Sequence, residues 1–428
     1  MKRAIRPLND SSWSRRILHL LIKKSLEGLT WLLLPVAFLL KLAKVRVLAV
    51  KFQAIGHLAV EPDLYLREHL ILNNKHRTIL FPPFRSFLFE KSLRSAVCNQ
   101  TLLDCWRKHF FVIDNLFLYI LLYPILKSPL LQYDCDYYLQ LKFARNYRPG
   151  WDYISIHNAF RDKFEKNRGF SPLLSLDIKQ KQQGRAILEK LGVPKDAWFV
   201  CFNCREEGYY APHETTCRNA KIEHLQLALE EIVQRGGWCI RTGSAFASPL
   251  PPSLASPRII DYPHTEYVSD FMDIFLVSHC RFFLGNNSGL TVTASLFGVP
   301  CIWVNVVPFG ILGVASKEDD IVIFKLQKSK VDQKWIPFSI CLQSFLSTSI
   351  NSNEYNEFQI ELTENAPEEI LDTVLEMFDR LENRLQIEAK DQELQLRFKS
   401  MLSSFNPSKG SQARVGKMFL RKYEHLLI

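Results

Sequence analysis

Residues 280–309 read CRFFLGNNSGLTVTASLFGVPCIWVNVVPF. An apolar run, Arg281 to Leu284, opens into Gly285-Asn286-Asn287-Ser288-Gly289; a helix-compatible segment follows to Phe297, and Gly298-Val299-Pro300 leads into a second apolar run. That order is a βαβ unit with a small polar turn at the N-terminus of its helix. The first amides of a helix lack intrahelical partners and carry the positive end of the macrodipole, so the turn favours phosphate. Gly285 and Gly289 allow backbone to approach a ligand, and Asn286, Asn287 and Ser288 supply side-chain hydrogen bonds. The plainer alternative is that Asn287 or Ser288 merely caps the helix.

Working outward, the same alternation continues on both sides. Upstream lie WFVCFNC (198–204), a helix from Lys221 to Gln234 after Arg218-Asn219, WCIRTG (238–243), RIIDY (258–262) and a helix around Val268 to Val277. A first set opens with RVLAV, a strand ending near Gly56-His57-Leu58, and continues with TILFPP (78–83) and FFVI (110–113), before a helix at Gln183 to Leu191. Strands alternating with helices predict an α/β fold of two doubly wound, Rossmann-like domains facing a cleft, 45–190 and 195–360. Residues 361–428 read as closing helices, Ala366 to Leu402 and Val415 to Leu427, with a polar break at Asn406 to Ala413.

A chain of 428 residues exceeds one ordinary core. With 47% hydrophobic and 12% aromatic residues it is not a disordered protein. The formal charge of +10 suits phosphorylated ligands, anionic lipid or nucleic acid, but no helix-turn-helix, zinc-finger or RNA-recognition signature accompanies it, so nucleic acid is not an expected partner. Ten cysteines are scattered through apolar runs; the single C-x-x-C, Cys201 to Cys204, lies in one strand, whose alternation turns the two thiols apart, unlike a metal knuckle. Reduced, buried thiols and a reducing compartment are the expectation.

Residues 1–44 differ from the rest. Seven cations precede the apolar run Gly28 to Leu40, which Pro35 interrupts, and Lys41, Lys44 and Arg46 close it. The run is shorter than the roughly 20 residues needed to span a bilayer. It reads as a basic, tryptophan-bearing amphipathic helix on an anionic membrane surface; the alternatives are a secretory signal, for which no small-residue cleavage site follows, and a helix packed on the protein's own core. Asp114 to Leu131 is a second markedly apolar stretch, suited to a membrane-facing or acceptor-binding element.

In the second set, the strand ends bring Arg205-Glu206-Glu207-Gly208-Tyr209, Arg241-Thr242-Gly243 and Gly285 to Gly289 towards one crevice. Two arginines and a helix N-terminus there would hold a diphosphate, because guanidinium binds phosphate bidentately and stays charged. Arg218-Asn219 either caps a helix or touches donor or acceptor.

The runs CREEGYY, RNAKIEHLQLALEEIVQRGGWCIRTG and IIDYPHTEYVSDFMDIFLVSHCRFFLGNNSGLTVTASLFGVPCIWVN resemble a group of bacterial GT-B glycosyltransferases of surface-polysaccharide and lipopolysaccharide clusters. The likeness covers nearly all of Phe199 to Lys325, with weaker echoes at Gly56-His57-Leu58 and in ARVGKMFLRKYEHLL. It implies a transferase without a metal or other cofactor, using a nucleotide-sugar donor in the C-terminal domain and a glycan or lipid-linked acceptor in the N-terminal one. The place of work it implies is the cytoplasmic face of the inner membrane, peripherally bound. Arg205 is similar to the phosphate-binding arginine of fucosyltransferase-like GT-B enzymes, and NNSG to the SSSG turn of hydrolysing sugar-nucleotide epimerases.

The glutamate that often follows that turn to bind ribose is replaced by Thr291 and Thr293, leaving Asp273, Asp270 or Glu266 as substitutes. An inverting transfer also needs a general base, for which His57 is the first candidate, followed by Glu61 and Asp63. Asp134-Cys135-Asp136 matches the metal-binding D-x-D of GT-A transferases, a triplet common by chance. The alternatives in other classes are a hydrolysing epimerase and a non-catalytic membrane-associated scaffold.

Overall fold

Short runs of β-branched and aromatic residues make the strands, and what covers their faces makes them apolar on both sides. The computed structural model describes residues 24–25, 28–71, 73, 75–83, 97–133, 172–206, 216–244, 247–310, 318–347, 349–402, 408 and 411–428. Asp134, Cys135 and Asp136 lie outside these, as do Glu207 to Tyr209.

The first half carries a four-stranded parallel sheet, β1 (Val45–Leu48), β2 (Arg77–Leu80), β3 (Phe111–Val112) and β4 (Gln132–Tyr133), in the order β3-β2-β1-β4. Its helices are α1 (Leu34–Leu42), α2 (Ile55–Ile71), α3 (Gln100–Trp106) and α4 (Leu116–Leu126). The second half begins with α5 (Ile178–Lys190) and a seven-stranded parallel sheet ordered β13-β10-β9-β8-β5-β6-β7. Its strands are β5 (Phe199–Asn203), β6 (Trp238–Arg241), β7 (Ile259–Asp261), β8 (Phe283–Gly285), β9 (Cys301–Val306), β10 (Ile321–Phe324) and β13 (Arg414–Val415). The helices α6 (Gln226–Gln234), α7 (Asp270–His279) and α8 (Gly289–Leu296) connect them. Outside the sheet, β11 (Leu326–Ser329) pairs antiparallel with β12 (Ile360–Thr363). The short helices α9 (Phe338–Gln343) and α10 (Ser352–Glu357) lie between them, and α11 (Pro367–Leu381), α12 (Ala389–Ser400) and α13 (Lys417–Lys422) follow.

Both sheets wind out from their first strand in the same sense, so each has one switch point, between β1 and β4 and between β5 and β8. Ligands of open α/β sheets collect at the carboxyl edge of that point. The fold is therefore mixed α/β with two parallel sheets, as the alternation predicts.

Three boundaries depart from expectation. Gly56-His57-Leu58 is not a strand end: β1 stops at Leu48 and these residues form the first turn of α2. The helix read as the end of the first half packs on the second, with Gly184 against the Phe275 ring of α7; a Cβ at Gly184 would overlap that ring. The C-terminal segment, read as helices alone, adds β13 to the large sheet. A two-residue strand has too little pattern to be seen in sequence.

One buried apolar cluster runs from Leu48, Leu58 and Trp106 of the first half through the second sheet to Leu427. A separate small cluster under α1 and α4, Ala37, Val47, Phe81, Tyr119, Leu126 and Leu131, seals the other side of the first sheet. The described cysteines are free thiols, all but Cys98 at least partly buried, with Cys201 Sγ directed to Leu276 O and Cys204 Sγ to Ala220 O.

Candidate functional site

The turn after β8 is built by its own side chains. Ser288 caps α8: its Oγ accepts from the Thr291 amide at 3.3 Å, and because Thr291 Oγ1 donates to Asn286 O, the Ser288 hydroxyl donates in turn to Thr291 Oγ1 at 2.9 Å. The serine proton is thus spent within the turn. Asn286 braces the neighbours, its Oδ1 accepting from the Arg205 amide at 3.2 Å and its Nδ2 donating to Arg218 O at 2.9 Å. Asn287 donates to Val307 O at 2.8 Å, and its buried Oδ1 has no partner among the described residues.

Arg205 stands two residues past the end of β5, beside the switch point; its side chain is buried, and Asn286 ties its backbone to that of half-buried Arg218, next to buried Asn219. Asn219 Oδ1 accepts from Thr216 Oγ1, while its buried Nδ2 lacks a partner among the described residues. Lys325, at the end of β10, donates its Nζ to Asn219 O and stands 4.0 Å from Glu364; burial lowers its affinity for the proton, and the Glu364 charge opposes that. Sequence reading missed this lysine. Its signal was a cation placed directly after the apolar IVIF.

Arg241 takes a different position from the one expected of a phosphate ligand. Its guanidinium is buried and held by Glu206, by Asp261 at 3.2 Å and by Ser248 O at 2.6 Å. Two carboxylates neutralise it within the chain. Its neighbours Thr242 and Gly243 complete the strand end: Thr242 O accepts from Asn203 Nδ2 at 2.8 Å, and Gly243 adopts φ +142°, a conformation that suits glycine.

Of the ribose candidates, Asp273 accepts from Tyr262 OH at 3.0 Å and its carboxyl is pushed up to about 6, chiefly by burial. Asp270 accepts from the Gln100 amide at 2.6 Å and so ties α7 to α3. Glu266 is exposed.

Opposite the turn stands α2. Its first turn lies against that of α8 so closely that a Cβ on Gly289 would come within 2.7 Å of Gly56 N. His57 follows, 40% exposed, with Nδ1 at 2.7 Å from Glu61 Oε1; the other Glu61 oxygen accepts from the Lys51 amide at 2.9 Å. Glu61 also lines a cavity of about 200 Å³ at the carboxyl edge of the first sheet, walled by Val47 to Phe52, Phe81, Pro83, Lys127 and Gln132. Asp63 is not in this group: it is fully buried and bonded to Arg67 Nε at 2.7 Å.

The structure therefore brings together His57, Glu61, Gly56, Gly289 and the NNSG turn, with Arg205, Arg218, Asn219 and Lys325 around the same sheet edge. It leaves Arg241, Asp63 and Asp273 in pairings of their own. Chemically, the arrangement offers the N-terminal amides of two helices and cations to an anion, and an exposed imidazole oriented by a carboxylate.

No protein-family model matches the chain, and no curated protein does. Among solved structures it is similar to the ADP-heptose lipopolysaccharide heptosyltransferase II of E. coli, at 12% identity and a TM-score of 0.34, over 61% of this chain and 84% of that one. It is also similar to a glycosyl transferase family 9 protein of Veillonella parvula, at 13% identity and a TM-score of 0.33, over 60% and 79%. Likenesses this weak carry no argument about chemistry.

Proposed function

We propose that this chain is a metal-independent glycosyltransferase of the GT-B kind, moving a sugar from a nucleotide-sugar donor to a glycan or lipid-linked acceptor of the cell surface. The observation that carries the reading is the junction of α2 and α8. Two helix N-termini begin side by side, each with the positive end of its dipole, and like ends repel unless an anion lies beside them. A donor diphosphate at the NNSG turn would relieve that repulsion and would be met by Arg205, Arg218 and Lys325.

The acceptor hydroxyl then belongs on the other side of His57, in the cavity that Glu61 lines. In the reaction, His57 takes the proton from that hydroxyl, and the freed oxygen attacks the anomeric carbon. The bond from that carbon to the diphosphate breaks, and the helix amides and cations receive the departing charge without a metal. Glu61 orients the ring and stabilises the imidazolium. A single displacement inverts the anomeric centre.

The test begins with binding, measured by calorimetry over UDP, GDP, ADP and CMP. One nucleotide should bind, and R205A should weaken it about 10- to 100-fold, the worth of a charged hydrogen bond. With the matching nucleotide-sugar and an acceptor extract, H57A should lower kcat about 10²- to 10⁴-fold while leaving nucleotide affinity intact. Absence of binding to every nucleotide would sink the reading.

A further inference from the structure

Two helices of the first half share one unexplained property. α1 and α4 touch each other and bury Ala37, Tyr119 and Leu126 inward, yet their outer sides remain apolar. Phe38, Leu39 and Leu42 on α1 are exposed, as are Phe117, Leu118 and Leu121 on α4, with Phe117 at 72%. Trp31 and Leu32, in the helical residues just before α1, extend the same face, at 68% and 76%. A contiguous apolar patch of this kind marks a contact surface rather than a water-facing one.

The charges around it bear on which contact that is. The two helices and the residues that follow them carry Lys41, Lys44, Arg46, Lys51 and Lys127, while the acids next to these runs are Glu27, Glu61 in the cavity and Asp114, which is paired with Arg107. With Asp114 already paired, the excess of cations beside the apolar residues suits an anionic headgroup layer. No helix among the described residues is long and apolar enough to cross a membrane, and both α1 and α4 carry a proline, Pro35 and Pro124. A bilayer contact made through these two helices is therefore one with the interface rather than a span.

We infer that α1 and α4 form a two-helix docking face for an anionic lipid bilayer, with Trp31, Phe38, Leu39, Phe117 and Leu121 entering the headgroup boundary and Lys41 and Lys44 on the lipid phosphates. The face adjoins the cavity at the carboxyl edge of the first sheet. Phe81, which walls that cavity, stacks on Tyr119 of α4 at 4.5 Å, and Lys127 closes both. Taken with the acceptor role proposed for that cavity, on which this step rests, the acceptor is a lipid-linked glycan whose tail stays in the bilayer.

The test is flotation of the full chain with phosphatidylcholine vesicles, with and without phosphatidylglycerol. The chain should float with the anionic vesicles and release in high salt. F117D/L121D should reduce the partition at least about tenfold, the scale of two apolar side chains withdrawn from the boundary. K41E/K44E, which keeps the apolar face, should abolish the preference for phosphatidylglycerol. Both variants change exposed side chains, and circular dichroism with nucleotide binding checks that they fold.

Wild-type chain that stays with the soluble fraction in every vesicle composition overturns the inference, as does undiminished flotation of F117D/L121D. A wild-type dimer in lipid-free buffer that the same substitution makes monomeric also overturns it, since the face would then hold a second copy. Nucleotide binding in lipid-free buffer is independent of these outcomes, so failure here and failure of the glycosyltransferase reading are distinguishable.

Discussion

Arg205 and Arg241 end neighbouring parallel strands and look alike in sequence, but their surroundings assign them different work. Arg241 has Glu206 and Asp261 as counter-ions, so R241M would strand two carboxylates beside a packed strand end. We expect a loss of about 3 kcal/mol in denaturant unfolding, with nucleotide affinity unchanged, whereas R205A should weaken nucleotide binding. Equal effects of the two on binding would show that Arg241 reaches the ligand after all. That an arginine after WCI needed an anion was legible in the sequence; that the chain supplies the anion itself was not, because Glu206 and Asp261 stand 35 and 20 residues away and meet it only through strand order. Asp63 and Glu61 show the same limit within one helix. Two positions apart, they point to different sides of α2, so one meets Arg67 in the core and the other His57 at the cleft.

At the level of elements, the βαβ unit at 280–309 was legible because strand period, turn glycines and helix cap all agree. The start of α2 was not: a Gly-His-Leu after a strand reads equally as a turn, and its helical state is fixed by contact with α8. That contact makes a sharp prediction. G289A places a methyl 2.7 Å from Gly56 N, against backbone that cannot rotate away, and should cost about 1 to 3 kcal/mol in a urea titration while also weakening nucleotide binding. Retained stability would mean that α2 and α8 part easily. The Tyr262–Asp273 pair between β7 and α7 yields a pH prediction. Asp273 has a folded-state pKa raised to about 6 from about 3.8, so its ionisation favours the unfolded chain: the penalty is absent below pH 4, grows between 4 and 6 and is complete above 6. D273N keeps an acceptor for Tyr262 OH and should raise the midpoint of thermal unfolding at pH 7.5 but not at pH 4, by about 3 kcal/mol at most because Asp273 is only partly buried. A gain independent of pH would refute the assignment.

Across the whole molecule, two sheets wound in the same sense each have one switch point, and the α2–α8 junction, with the His57–Glu61 pair beside it, joins the two halves. The sequence made the alternation legible, and hence the parallel sheets, but it held no sign of which helix of one half leans on the other. Those contacts come from α7, which receives α3, and from the α2–α8 junction. They have a thermodynamic consequence. The apolar cluster passes from Leu48 through Trp106 and Phe275 to Leu427 without a break, so neither half can unfold without exposing core of the other. Differential scanning calorimetry should therefore give one transition from a chain of 428 residues, with calorimetric and van't Hoff enthalpies equal, although chains of this size commonly unfold in stages. A nucleotide bound across the two edges should move that transition as a unit, by about 2.7 kcal/mol at a hundredfold excess over Kd. Two resolved transitions, with only the hotter or only the cooler one shifted by nucleotide, would mean that the ligand belongs to one half and that α2 takes no part in holding it.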